Sequence, residues 1–99
     1  MSDTSDAVVV TDVPDQHRYE ARIDGDLMGI AEYRLGDGQI TFTHTEVADA
    51  AEGKGVGGRL VRTALDEARA RGLRVRPQCP FVRSYIEKHP EYADLVAAG

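Results

Sequence analysis

The chain has 99 residues, 41% hydrophobic and 29% charged, which suits one soluble domain with its own core. Its net charge of −5 argues against a general nucleic-acid binder, and no apolar run approaches the roughly 20 residues that span a bilayer. One cysteine excludes an internal disulfide, and an N-terminus without a basic-then-apolar leader points to the cytoplasm.

Residues 1–15 hold four aspartates, Pro14 and no base, and read as a flexible acidic tail ahead of one domain over 16–99. Val8-Val9-Val10 is the one piece of the tail able to pair as an edge strand. From His17 to Ile23 the chain alternates, with Tyr19, Ala21 and Ile23 on one face. Asp24-Gly25-Asp26 is a hairpin signal, and Leu27 to Leu35 is the return strand. Gly36-Asp37-Gly38 is a second tight turn. Gln39 to Val47 is the third strand, with Ile40, Phe42, His44 and Glu46 on one face and Thr41, Thr43, Thr45 and Val47 on the other. Three strands joined by short turns make an antiparallel meander.

A helix follows from about Gly55 to Arg71, with Val56, Leu60, Val61, Ala64, Leu65 and Ala68 as its apolar stripe. Glu67 and Arg71 stand one turn apart, and Gly72 is placed to end the helix. Leu73 to Gln78 reads as a fourth strand, parallel to the third because a helix connects them. Cys79-Pro80 opens a second helix whose apolar face is Phe81, Val82, Tyr85 and Ile86. His89-Pro90 stops it, and a last turn carries Tyr92, Leu95 and Val96. The expected architecture is α/β (α+β), a mixed sheet with an N-terminal antiparallel meander, a helix crossover to a parallel strand and C-terminal helices.

The connection into the first helix is Glu52-Gly53-Lys54-Gly55-Val56-Gly57-Gly58-Arg59, four glycines within six residues. A glycine turn that opens into a helix leaves backbone N–H groups pointing outward at the positive end of the helix dipole, a site for phosphate. Read by itself, the stretch is equally an ordinary surface loop. Residues 1–52 carry twelve acids and three bases, whereas residues 53–90 carry nine bases and three acids. A basic half of this kind suits a small polyanion such as a nucleotide or coenzyme A.

Glu52-Gly53-Lys54-Gly55-Val56-Gly57 resembles the acetyl-CoA loop of the GNAT N-acetyltransferase superfamily, Q/R-x-x-G-x-G/A. His44-Thr45-Glu46-Val47, Cys79-Pro80-Phe81-Val82 with Tyr85-Ile86, and His89-Pro90-Glu91-Tyr92 extend the likeness to its small YjdJ-like type, over residues 17–97. The resemblance implies a truncated GNAT fold and acetyl-CoA as co-substrate, with no metal. It implies pyrophosphate contacts from Gly53, Lys54, Gly55, Val56, Gly57, Gly58 and Arg59, and backbone contacts around Val47. Glu52 departs from the pattern by setting a carboxylate beside the pyrophosphate, which Lys54 and Arg59 offset.

Four further side chains are candidates for the chemistry. Cys79, between a strand and a helix N-terminus, is either a nucleophile or positioning group near the acetyl, or a small buried residue before Pro80. His44 and Glu46 share a strand face before the loop, and either could take a proton from an amine. Tyr85 matches the tyrosine that in many superfamily members protonates the departing thiolate, and it equally fits the apolar stripe of its helix. Arg62 and Arg69 read as a solvated face, with the 3′-phosphate as the alternative partner.

The expected function is acetyl transfer to an exposed amine. Only Asp24 to Asp26 separates the first two strands, where full-sized members insert the helices that build an acceptor pocket, so a protein or peptide amine fits better than a small metabolite. The alternative is a CoA-binding sensor or interaction module without useful transfer, and a third reading makes the glycine turn a plain loop in an interaction domain. Either a monomer or a homodimer fits so small a sheet.

Overall fold

Short turns make sequence neighbours pair. The structure, a computed structural model, describes residues 8–51 and 53–97. Strands β1 (Val8–Val13), β2 (Arg18–Ile23), β3 (Asp26–Gly36) and β4 (Gln39–Val47) run antiparallel in sequence order. Helix α1 (Val56–Ala70) then crosses to β5 (Arg74–Pro77), which pairs in parallel with β4. Helix α2 (Pro80–Lys88) and a 3-10 turn over Pro90–Leu95 follow. Asp24 and Gly25 both take positive φ, 52° and 85°, the geometry a two-residue hairpin turn needs to match strand twist. The mixed sheet is the one expected from the sequence.

The stretch read as an acidic tail is partly a strand. Val8–Val13 pairs along its whole length with β2, Val8 is buried, and the Asp12 carboxylate accepts a hydrogen bond from Tyr33 Oη. Residues 1–7 lie outside the described residues.

The core lies between one face of the sheet and α1. Tyr19, Ala21, Ala31, Tyr33, Ile40, Phe42 and Val75 supply the sheet side. All six residues of the α1 stripe are buried against them. Fully burying each large aliphatic side chain stabilises the fold by about 1.5–3 kcal/mol. Glu67 does not make the helical pair expected with Arg71. It turns inward and accepts a hydrogen bond from Tyr19 Oη at 2.9 Å. The C-terminal turn is fastened to α1 by Arg69, which donates to Asp94 and to the Glu91 carbonyl, and by Tyr92, whose hydroxyl donates to Asp66 at 2.6 Å. Val96 then bridges Val75 on the outer side of β5.

The second face of the sheet carries Arg18, Glu20, Arg22, Ile30 and Glu32. Among the described residues no helix lies on it, and none is long and apolar enough to cross a membrane.

A bulge in β4 reverses an expectation. Tyr33 faces Phe42 and Glu32 faces His44, so Thr43 is an extra residue with no partner of its own. Opposed residues share a face, and an extra residue shifts the alternation beyond it by one. His44 and Glu46 therefore do not share the face of Ile40 and Phe42. They lie on the open face beside Glu32 and Ile30, while Thr45 and Val47 turn toward α1 with Ala31 and Gly29.

Candidate active site

The glycine turn forms a cradle. Gly53 and Gly55 have φ of 83° and 74°, and nothing lies within 4 Å of where either would carry a Cβ. Gly55 caps α1 without a side chain, and Arg59 N–H is the first to bond within the helix, to the Gly55 carbonyl. The amides of Val56, Gly57 and Gly58 precede that first bond and belong to the donors a helix start leaves over. They border a groove of about 430 Å³ lined by Val47, Ala51, Gly53, Gly55, Val56, Gly57, Gly58 and Phe81. Gly57 is there for a second reason: a Cβ on it would sit 2.5 Å from Phe81 Cζ. Only glycine lets that half-exposed ring lie over the start of α1. The role of Phe81 escaped sequence reasoning, which counted it as helix packing. A glycine in the first turn of α1 and an aromatic in the first turn of α2 were the available signal.

Beside the cradle the sheet opens. β5 ends at Pro77, opposite Phe42, and Cys79 N–H still reaches the Phe42 carbonyl at 2.9 Å. From there β4 runs on through Thr43–Val47 with β3 on one edge and no strand on the other among the described residues. Cys79 and Thr45 flank this gap on the helical side. The buried thiol of Cys79 donates to Thr45 Oγ1 at 3.3 Å. Thr45 is a second residue that sequence reasoning missed, because the bulge that turns it inward has no mark in the sequence.

His44 and Glu46 flank the same stretch on the open face. His44 Nε2 and Glu46 Oε2 are 3.2 Å apart and both side chains are largely exposed. Nearby, Glu20 is buried between Arg18 and Arg22, and the Arg18 guanidinium, bonded to it at 2.8 Å, holds its carboxyl below the usual carboxylate range.

Tyr85 lies half-buried on α2 with its ring 3.8 Å from a Cβ position on Gly58. It stacks on His89 at 4.0 Å, and burial raises its phenol above the ordinary value, so the proton stays on oxygen. Arg59 is not gathered here: its guanidinium reaches the Val8 carbonyl at 3.4 Å. Arg69 is spent on the C-terminal turn. Lys54 is exposed in the loop, and Glu52 lies outside the described residues. No group of three or more His, Cys, Asp or Glu is placed to hold a metal among the described residues.

An uncapped glycine start of a helix, set after a strand that runs past its parallel neighbour, matches a known family. The model of the GCN5-related N-acetyltransferases fits residues 18–95. The chain belongs to that family. Its relatives include protein NATD1 of Xenopus tropicalis, 24% identical over 90 residues, which are 89% of this chain and 83% of that protein. Protein NATD1 of Gallus gallus is 30% identical over 56 residues, 57% of this chain. That match covers 51% of the Gallus protein, about half its length. Among solved structures, a GCN5-like protein from Staphylococcus aureus superposes with a TM-score of 0.70 at 24% identity, covering 92% of this chain and 89% of that one. Ribosomal-protein-alanine N-acetyltransferase from Brucella melitensis biovar Abortus 2308 gives 0.58 at 24% identity, covering 83% and 62%. At that identity the two structures show a shared GNAT fold. The chain is thus a small GNAT domain of an acetyltransferase family, and acetyl-CoA is the donor that GNAT enzymes generally use.

Proposed function

We propose that the protein is an acetyl-CoA-dependent N-acetyltransferase that acts on an exposed amine, and that it works in the cytoplasm. The observation that carries this reading is the open glycine cradle at the start of α1, adjoining the gap beside Thr43–Val47. Coenzyme A fits these residues: the cradle offers backbone donors and the room glycine leaves, and Phe81 offers an apolar wall. When bound, acetyl-CoA supplies an acetyl thioester.

The chain's own residues supply the rest. Amides of Gly53, Gly55, Val56, Gly57 and Gly58 hold the pyrophosphate, while the Lys54 amide closes the turn onto the Ala51 carbonyl at 3.1 Å. The unpaired edge of β4 around Val47 aligns the pantetheine arm by backbone hydrogen bonds. Glu46, oriented by His44, takes the proton that the amine loses on attacking the thioester carbonyl, directly or through a water. Tyr85, protonated at rest, donates its phenol proton to the departing thiolate and regains one from solvent. Cys79 bonds Thr45 and positions β4 against α2; transfer is direct, with no acyl-cysteine step.

The test is thiol release from acetyl-CoA with a library of amines and peptides. Release is expected above the buffer rate, and Glu46→Gln is expected to lower kcat by about 10²–10⁴-fold without changing the stabilisation that acetyl-CoA confers. Release at the buffer rate with stabilisation intact would leave a CoA-binding module and sink the transferase reading.

A further inference from the structure

Thr45 carries a hydroxyl where packing asks only for a methyl. Its side chain turns toward α1 opposite Ala31 and is half-buried. Valine has nearly the same shape, and a hydroxyl taken from water without full pairing costs free energy that valine would not. Among the described residues this hydroxyl has one hydrogen-bond partner, the buried Cys79 thiol, which donates to Thr45 Oγ1 at 3.3 Å. That bond uses the oxygen as acceptor. The hydroxyl hydrogen is left to donate elsewhere, beside the free edge of β4.

We propose that the Thr45 hydroxyl is a catalytic donor: it hydrogen-bonds the thioester carbonyl oxygen of acetyl-CoA and stabilises the negative charge that gathers there when the amine attacks. The inference rests on the acetyl-transfer reading above and adds a residue to that same site.

The position of Thr45 supports this role. Val47 lines the glycine groove, and Thr45 is the next residue of β4 on that side, about 7 Å further along at the rise of a strand. The gap closes at Phe42, whose carbonyl accepts from Cys79 N–H. A pantetheine arm laid down the edge from the cradle therefore passes Thr45 before the room ends. Glu46 follows Thr45, and consecutive strand residues point to opposite faces. A carbonyl in the edge thus has the Thr45 hydroxyl on the helical side and the Glu46 carboxylate on the open side, where an amine can approach.

The step balances with the groups already named. Glu46 takes the amine proton as nitrogen bonds the carbonyl carbon. Thr45 donates to the carbonyl oxygen as the π pair moves onto it. Tyr85 protonates the sulfur as that pair reforms C=O and the C–S bond breaks. Cys79 strengthens the donor, because a hydroxyl that accepts one hydrogen bond gives another more strongly.

The experiment follows the carbonyl carbon-13 resonance of acetyl-CoA, labelled in the acetyl carbonyl and bound to the full chain with no acceptor present. A hydrogen bond to the oxygen moves this signal downfield. The movement is expected in the wild type and in Thr45→Ser, and is expected to vanish in Thr45→Val. The dissociation constant should change by less than about tenfold, the worth of one neutral hydrogen bond. With the amine acetylated fastest in the library above, Thr45→Val is expected to lower kcat about 10²-fold, as loss of an oxyanion donor does, with KM for the amine little moved. Thr45→Ser should restore most of the rate. The same carbonyl signal in wild type and Thr45→Val, an undiminished kcat in Thr45→Val, or equal losses in the serine and valine variants (the mark of a packing role) would each overturn the proposal. Failure of the wild type to bind acetyl-CoA would refute the reading beneath it.

Discussion

Gly57 decides where Phe81 lies. A methyl there would meet the ring tip at 2.5 Å and both Cε atoms at 3.2 Å, so the half-exposed ring must swing out of the groove. Alanine regains about 1 kcal/mol of helix propensity, so Gly57→Ala is expected to keep Tm within a few degrees. It should weaken acetyl-CoA binding about tenfold, the loss of one contact worth about 1.4 kcal/mol. A thermal melt checks the first and a calorimetric titration the second, and unchanged affinity would remove Phe81 from the site. Gly55 answers to backbone geometry, since at φ 74° an alanine costs about 1–2 kcal/mol. Cys79 answers to chemistry. Cys79→Ala should keep kcat/KM within about tenfold, since losing a weak hydrogen bond costs about 1 kcal/mol. Intact-mass analysis after acetyl-CoA exposure should find no acetyl on the wild-type thiol; a trapped adduct that passes to an amine would contradict direct transfer. The sequence displayed the glycines and the cysteine. The ring above Gly57 and the hydroxyl beside the thiol are long-range contacts that no local pattern spells out.

Strand β4 shows where sequence reading stops. Ile40-Thr41-Phe42-Thr43-His44-Thr45-Glu46-Val47 alternates cleanly, and no glycine or proline marks the extra residue at Thr43. The bulge follows from pairing with β3, and it alone turns His44 and Glu46 to the open face. Deleting Thr43 should remove the extra residue and leave Phe42 opposite Tyr33 and His44 opposite Glu32, with His44 and Glu46 still on the open face and Thr45 and Val47 still inward. The variant is therefore expected to melt within a few degrees of wild type by circular dichroism; a loss of several kcal/mol, as burying an unpaired imidazole and carboxylate would cause, would refute the bulge. Helix α1 is the opposite case. Its 3.6-residue stripe was fully legible, and its six positions are all buried. β1 was half-legible: Asp12 among the valines reads as tail until Tyr33 supplies its partner.

Across the molecule, four tyrosines hold layers together. Tyr19 bonds Glu67 on α1, Tyr33 bonds Asp12 on β1, and Tyr92 bonds Asp66 on α1, while Tyr85 packs between α2 and the last turn. Burial first, then the carboxylate partner, raises Tyr19 and Tyr33 far above the ordinary phenol value. The bond to Asp66 and then burial push Tyr92 up to about 12. A phenol raised by folding contributes stability that is complete below its ordinary value near 10 and lost as pH rises through the raised one. In a Tyr85→Phe variant, phenolate absorbance from Tyr19, Tyr33 and Tyr92 should therefore stay flat through pH 10 and rise together with unfolding; one of these three titrating near 10 in the folded protein would contradict these contacts. The order of elements was readable from turns and periodicity, because those are local, and the GNAT fold was readable from the resemblance that the glycine turn and the Cys79 and His89 motifs carry. The face on which His44 and Glu46 lie was not, because a bulge sets it. The claim on which the rest depends is that the start of α1 and the free edge of β4 together hold acetyl-CoA. Its most direct test is a titration of the amide spectrum with acetyl-CoA. Saturable shifts are expected at Gly53, Gly55, Val56, Gly57 and Gly58 and along Thr43–Val47. No shift at millimolar acetyl-CoA, or shifts confined to other residues, would contradict it.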